Sequence, residues 1–295
     1  MRFTAWLALA ATLTLWAGNW IVARAVHEDV APGFATVGRL IVALAILLPF
    51  TYPQLRTKLP LLQTREWIIL AALGLTGGGP HLAMQWLAMH YTTATSGILY
   101  LSTVPIFILL FAPFSGERIR AMQWAGVTIS FSGVAMIAAH GDLGRLASLS
   151  FNVGDLLALG SMMLWASFTL LLRVRRDRLE VIELLTVVCA FGLCYMVPWV
   201  AIEIFLGKPL SPGADGVLAI LYAGIGSLLL AYAGWSYVVT RLGAARAGVT
   251  LHLMPAIGVT LSALFLGEYP QGYHFAGIAL ILAGVGLSSW QRRAA

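Results

Sequence analysis

The sequence predicts an all-α integral membrane protein with ten transmembrane helices, arranged as two inverted five-helix repeats. Three observations carry that expectation: a composition too apolar for water, ten apolar runs of spanning length, and a set of residues that recurs about 150 positions later.

Of 295 residues, 60% are hydrophobic and 10% charged, whereas soluble domains average roughly 45–50% apolar and about 25% charged. Eighteen basic and twelve acidic residues cannot cover a water-facing surface of this size, so lipid is the main solvent. The net charge of +6 does not point to nucleic acid, because the basic residues form short clusters between apolar runs with no stripe of interleaved aromatics. Cys189 and Cys194 share one apolar run and read as small core residues. No metal centre and no cofactor is expected.

The runs cover approximately 4–23, 33–52, 67–89, 93–114, 121–139, 153–173, 181–206, 217–239, 244–266 and 271–290, each long enough for a hydrocarbon core about 30 Å thick. Their short connections carry the turn formers and charges, as in Tyr52-Pro53-Gln54 and Lys208-Pro209-Leu210-Ser211-Pro212-Gly213. Arg2 before an apolar stretch, with Ala23-Arg24-Ala25 behind it, imitates a cleaved signal peptide. The recurrence of the same segment further along the chain argues for a retained helix instead. With the N-terminus inside, fourteen of the eighteen Lys and Arg residues fall on the cytoplasmic side, as retained positive charge requires. Both termini are therefore expected in the cytoplasm, for a multi-pass protein of a bacterial inner membrane. Arg39 lies a turn or two inside the second run, where it either snorkels outward or pairs.

The repeat is found by subtraction. Leu15-Trp16-Ala17 recurs as Leu164-Trp165-Ala166, Pro105 as Pro255, Gly116-Glu117 as Gly267-Glu268, and Gly126 with Gly133 as Gly277 with Gly284. Residues 1–150 and 151–295 then form two halves of five helices each. An odd number of helices per half inverts the second relative to the first, the layout of many secondary transporters.

Thr93-Ala94 leading through Gly97 to Pro105, Gly-Glu before a glycine-spaced last helix, and ten helices in two repeats together resemble the EamA-type drug/metabolite transporters. Within that family the chain looks most like the bacterial YddG-type exporters of aromatic amino acids. The resemblance implies export of amino acids or related metabolites by alternating access. It also implies that helices one to four and six to nine surround a central cavity braced by helices five and ten. One departure is Gly243-Ala244-Ala245-Arg246-Ala247, which replaces Thr93-Ala94-Thr95-Ser96-Gly97 in the second half.

Candidate substrate-binding residues deviate from apolar character at mid-helix. Trp16 and Trp165 are repeat partners near mid-membrane and are expected to wall a cavity, since broad rings hold apolar side chains by area and stacking. Asn19 and Trp20 sit one turn further on and align with Phe168 and Thr169; the polar atoms either bond a neighbouring helix or orient a zwitterion. His81 and Gln85, four apart, share one helix face, just after Gly77-Gly78-Gly79-Pro80. Those glycines allow close packing or a bend, with carbonyls opening toward a cavity. Ser96, Tyr100 and Thr103 form a polar stripe, matched at similar depth by Arg246, Thr250 and His252. They line the path or glue helices. The paired glycines of the fifth and tenth runs mark a packed seam, either within a monomer or between two.

These features predict a secondary transporter, an exporter or facilitator of aromatic or other hydrophobic amino acids and related metabolites. The alternative is a multidrug exporter of the same fold. An intramembrane enzyme would need catalytic groups at depth, and neither a His-Glu-x-x-His motif nor a Gly-x-Ser-x-Gly elbow occurs. The expected partners are the small-molecule substrate and the lipid bilayer, with no nucleic acid, as a monomer or weak homodimer. Every carboxylate falls in a loop or near a helix end. Energy coupling therefore reduces to facilitated diffusion or a histidine proton carrier.

Overall fold

The computed structural model describes residues 2–111, 121–142, 144, 152–175, 177–208, 210–242 and 254–289. Every regular element among them is helical. In order they are α1 (Arg2–Ala25), α2 (Pro32–Lys58), α3 (Thr64–Leu73), α4 (Gly79–Ala88), α5 (Ala94–Tyr100), α6 (Val104–Phe111) and α7 (Ala121–Ala138). There follow α8 (Val153–Val174), α9 (Val181–Phe205), α10 (Ala214–Leu221), α11 (Ala231–Leu242), α12 (Met254–Leu266) and α13 (Gly272–Ser289).

Six helical stretches are long and apolar enough to cross a membrane: Trp6–Ala25, Pro32–Leu61, Thr64–Ala88, Val153–Leu172, Val181–Phe205 and Ala214–Trp235. Shorter apolar helices cover Trp124–Ile137, Ile257–Leu266 and Gly272–Gly284. Their outward faces are apolar, with Phe50 68%, Phe265 72% and Phe205 89% exposed. Such a surface is stable in lipid and would aggregate in water.

Local chemistry sets the helix ends. Pro32 opens α2, where its missing N–H costs nothing. Thr93 caps α5 by accepting from the Ser96 N–H at 3.1 Å, and Asn152 caps α8 by accepting from the Gly154 N–H at 2.7 Å. Glu180 and Glu183 form a capping box on α9.

Two spans contain π-helical segments. Gly74–Gly78 joins α3 to α4, and Tyr222–Leu230 joins α10 to α11. A π segment widens the helix and withdraws carbonyls from the regular ladder. The Gly77-Gly79 run is used for close approach to α9: a Cβ at Gly78 would lie 2.9 Å from the Val188 carbonyl, and one at Gly79 2.5 Å from the Gly192 carbonyl. Gly77 accommodates the Phe168 ring.

The predicted glycine seam lies within the monomer. α7 and α13 make the most extensive interhelical contact; a Cβ at Gly133 would sit 2.5 Å from the Gly277 carbonyl, and one at Gly284 would strike the Gly126 carbonyl and Ser130. Ser130 Oγ donates to the Ile281 carbonyl at 3.1 Å across the seam.

The bundle has two chemically distinct ends. At one, Arg24 donates to the Met89 carbonyl at 2.6 Å and approaches Glu268 at 3.5 Å. Glu268 also accepts from the Thr95 N–H at 3.1 Å, so α1, α4, α5 and the α12–α13 turn are tied together. Thr92 Oγ1 donates to Asp155 at 2.6 Å, which joins α8 to the same end. At the other end Lys58 of α2 pairs with Glu183 of α9 at 2.7 Å.

Candidate functional site

The aromatic and polar residues that interrupt the apolar helices meet at mid-depth. Trp16 on α1 and Trp165 on α8 lie on either side of Tyr232 on α11. Each makes an edge contact with it, at ring-centroid distances of 6.0 Å and 6.0 Å. Trp235 packs 5.5 Å from Trp16, and Phe168 stacks 5.0 Å from Trp165. Edge-to-face and offset stacks at these distances suit the ring quadrupoles. Trp16 Nε1 donates to the Ser227 carbonyl in the second π segment at 3.1 Å.

A hydrogen-bonded chain crosses the same region from α1 through α4 to α8. Asn19 Nδ2 donates to Gln85 Oε1 at 3.5 Å, and Gln85 Nε2 donates to His81 Nε2 at 3.2 Å. His81 Nδ1 lies 2.8 Å from the Ser161 carbonyl and 2.9 Å from its hydroxyl. A carbonyl only accepts, so Nδ1 carries the hydrogen and Nε2 is left as the acceptor for Gln85. His81 is thus a neutral imidazole with both nitrogens engaged, and its ring stacks 5.3 Å from Trp165. The chain ends in an open acceptor, because Asn19 Oδ1 is buried without a partner.

Of the sequence-predicted residues, Trp16, Asn19, His81, Gln85 and Trp165 come together here. Trp20 is buried against Gly97 and the Met89 side chain. Thr169 is turned into its own helix, donating to the Trp165 carbonyl at 2.9 Å. Ser96 bonds the Thr93 hydroxyl at the start of α5, and Thr103 donates to the Tyr100 carbonyl at 2.6 Å. Tyr100 is buried, with its hydroxyl directed to Asp155 rather than to the Trp16 group. His252, with Arg246 and Thr250, lies outside the described residues.

Sequence reasoning missed Ser161, Ser227, Tyr232 and Trp235. Ser161, Ser227 and Tyr232 are of types common in such helices and no spacing singles them out, whereas Trp235 repeats Trp86 at the offset of 149 that also relates Trp16 to Trp165. Arg39 does not snorkel, and among the described residues it forms no ion pair: it is 1% exposed, and its Nη2 reaches the Ala223 carbonyl and Ser227 Oγ at 3.4 Å each.

Carboxylates near helix ends are more buried than their positions suggested. Glu203 of α9 accepts from the Gly33 and Phe34 N–H groups at 2.7 and 3.0 Å and from Trp199 Nε1 at 3.0 Å, which caps α2 from another helix. Asp155 is buried, with the Thr92 and Tyr100 hydroxyls beside its carboxylate. A cavity of about 840 Å³ opens at the Arg24 end, between the α1–α2 connection, the end of α4 and the end of α9. Glu203, Trp199, His90 and Lys208 line it, and none of the predicted substrate residues does. This open volume therefore lies nearer the surface than the mid-depth cluster, whose Trp16, Trp165 and Tyr232 rings are themselves only partly buried.

A profile of the EamA-like transporter family matches residues 2–139 and again residues 152–290. An uncharacterized transporter of Archaeoglobus fulgidus is 28% identical over 96% of this chain and 96% of its own length. A probable terminal-alkyne amino-acid exporter of Streptantibioticus cattleyicolor is 26% identical over 94% of this chain and 91% of its own. An uncharacterized inner membrane transporter, YedA, of Escherichia coli is 24% identical over 94% and 88%. A solved crystal structure with 20% identity superposes at a TM-score of 0.60, covering 98% of this chain and 97% of that one. The relatives are transporters, not enzymes.

Proposed function

Because the chain belongs to the EamA-like transporter family, we propose that it moves aromatic or other hydrophobic amino acids, and related metabolites, across a bacterial inner membrane. The observation that carries this reading is the pair Trp16 and Trp165 bridged by Tyr232, set beside a polar chain whose last acceptor, Asn19 Oδ1, is open. Broad rings bury an apolar side chain by area. An unpartnered buried acceptor costs free energy until a donor such as a substrate N–H reaches it. The amino-acid exporter among the relatives supports the same cargo class.

The reading takes the protein as ten spans in two inverted halves, 1–150 and 151–295. Both π segments fall in the third span of a half, and Gly77 with Gly226, and Trp86 with Trp235, keep one offset of 149. Retained positive charge places the Arg24 end outside and both termini in the cytoplasm. Alternating access then opens the Arg24 end and the Lys58 end in turn around the mid-depth cluster.

Facilitated diffusion is the favoured energetics. His81 is held as a neutral donor–acceptor link, and Glu183 and Glu203 are engaged at helix ends. A second reading, proton coupling, rests on Asp155, a carboxylate 1% exposed beside the Tyr100 hydroxyl. Cells overproducing the protein should be challenged with toxic amino-acid analogues, cationic drugs and nucleosides. Protection against the aromatic analogues is the expected result, and protection against cationic drugs alone would move the assignment to a multidrug exporter.

A further inference from the structure

Arg39 is the least expected residue at mid-depth. It lies seven residues past Pro32, about 10 Å along α2, and is 1% exposed. Gly38 and Gly224 let α2 approach the π segment closely: a Cβ at Gly224 would sit 3.0 Å from the Arg39 carbonyl, and one at Gly38 2.8 Å from Ile220. The side chain crosses that seam to Ala223 and Ser227, and Ser227 is also the residue that receives Trp16. Its titratable neighbours are Tyr232, Cys189 and His81, none of them a carboxylate. Among the described residues no carboxylate lies within ion-pair distance of it.

The guanidinium has five N–H donors. Both of its contacts come from Nη2, at 3.4 Å. Nε carries one N–H and Nη1 two, and neither atom has a partner, so three of the five donors are open. A cation buried in a membrane bundle without a counter-charge is costly, and where such groups persist they mark substrate pathways. A planar fork of donors matches a carboxylate or a phosphate bidentately, and beside the Trp16–Tyr232–Trp165 rings the anion that accompanies an aromatic or hydrophobic side chain is a carboxylate.

We propose that Arg39 is the carboxylate anchor of the transported substrate, so that the protein selects aromatic or hydrophobic compounds bearing a carboxylate and rejects organic cations. This rests on the transport reading above and sharpens it: Trp16, Trp165 and Tyr232 receive the apolar part while Arg39 fixes the acid. In a dry site a hydrogen-bonded charge pair is worth at least about tenfold in affinity.

The test is competition for tryptophan counterflow in liposomes, with direct binding measured alongside. The probes are tryptophan, indole-3-propionate (carboxylate without ammonium), tryptophanamide and tryptamine (ammonium without carboxylate). The two carboxylates should bind at least about tenfold more tightly than the amide and the amine. Arg39→Gln should erase the difference and Arg39→Lys should restore part of it. The series on the parent protein stands by itself if Arg39→Gln fails to fold. Tight binding of indole-3-propionate without tryptophan would keep the anchor and overturn the amino-acid cargo. Tryptophanamide or tryptamine binding as well as tryptophan, binding of none of the four, or discrimination surviving in a folded Arg39→Gln, would overturn the anchor.

Discussion

Glu203→Gln isolates a cap that one helix supplies to another. In the parent, Glu203 Oε1 accepts from the Gly33 N–H at 2.7 Å and from Trp199 Nε1 at 3.0 Å, while Oε2 accepts from the Phe34 N–H at 3.0 Å. A glutamine keeps one acceptor oxygen and turns an NH₂ toward the remaining donor. The loss is one hydrogen bond to a charged group in a site only 7% exposed, worth about 1.5–3 kcal/mol. To this is added the attraction between the carboxylate and the α2 N-terminus, about 0.3–1 kcal/mol. Together these predict a destabilisation of about 2–4 kcal/mol, or roughly 4–16 °C at about 2–4 °C per kcal/mol. Thermal melting of the purified protein in one detergent measures it. Glu28→Gln, whose side chain is 85% exposed, serves as the control and should cost no more than about 1 kcal/mol. If Glu203→Gln melts within about 1 °C of the parent, the interhelical cap does not hold the α1–α2 connection onto α9, and the account of that end is wrong.

His81→Gln should change substrate affinity several-fold while leaving the pH profile of transport flat between about pH 6 and 8, because the parent imidazole is already neutral and fully bonded; a pH-dependent step lost in this variant would sink that assignment. Gly133→Leu should separate α7 from α13 and lower the melting temperature while leaving the order of substrate preference intact, as read by competition in liposomes. His90 is half-buried near His27, Lys208 and Arg24, and burial, more than those charges, lowers its pKa. With the folded value below the unfolded value of about 6.5, the unfolded chain takes up the proton first. Stability should therefore fall as pH drops below about 6.5, and His90→Asn should flatten that part of a melting-temperature series between about pH 7.5 and 5.

Much of the fold is legible in the apolar runs. The expected span 4–23 is the α-helix Arg2–Ala25, and 181–206 is Val181–Phe205, since helix is the solution open to such a segment in lipid. What the runs conceal is their interior geometry. The expected spans 67–89 and 217–239 begin earlier, at Thr64 and Ala214, and each contains a π segment. Its widening depends on which helix packs alongside, as Gly78 against α9 and Gly224 against α2 illustrate.

The candidate site is legible where a residue departs from its surroundings, as Trp16, His81 and Trp165 do. Direction is harder to read. Thr169 and Thr103 look like wall residues by depth and are turned back onto their own helices, because a hydroxyl within reach of a carbonyl in the preceding turn bonds it locally. Tyr232 gave no signal, since its role comes from lying between two tryptophans of other helices. Arg39 gave a clear signal as a charge within an apolar run, yet only the fold shows that the α2–π seam, rather than the surface, receives it.

The account's central claim, transport of hydrophobic amino acids through the mid-depth cluster without an imposed driving force, is tested most directly by radiolabelled tryptophan flux into liposomes. With no pH gradient and no membrane potential, the parent should equilibrate tryptophan across the membrane. Trp16→Ala and Trp165→Ala, each inserted normally, should slow that flux by about tenfold or more, since each removes an aromatic contact of about 0.5–1.5 kcal/mol in addition to buried area. Parental flux in both tryptophan variants, or accumulation that requires a pH gradient and disappears in Asp155→Asn, would contradict it.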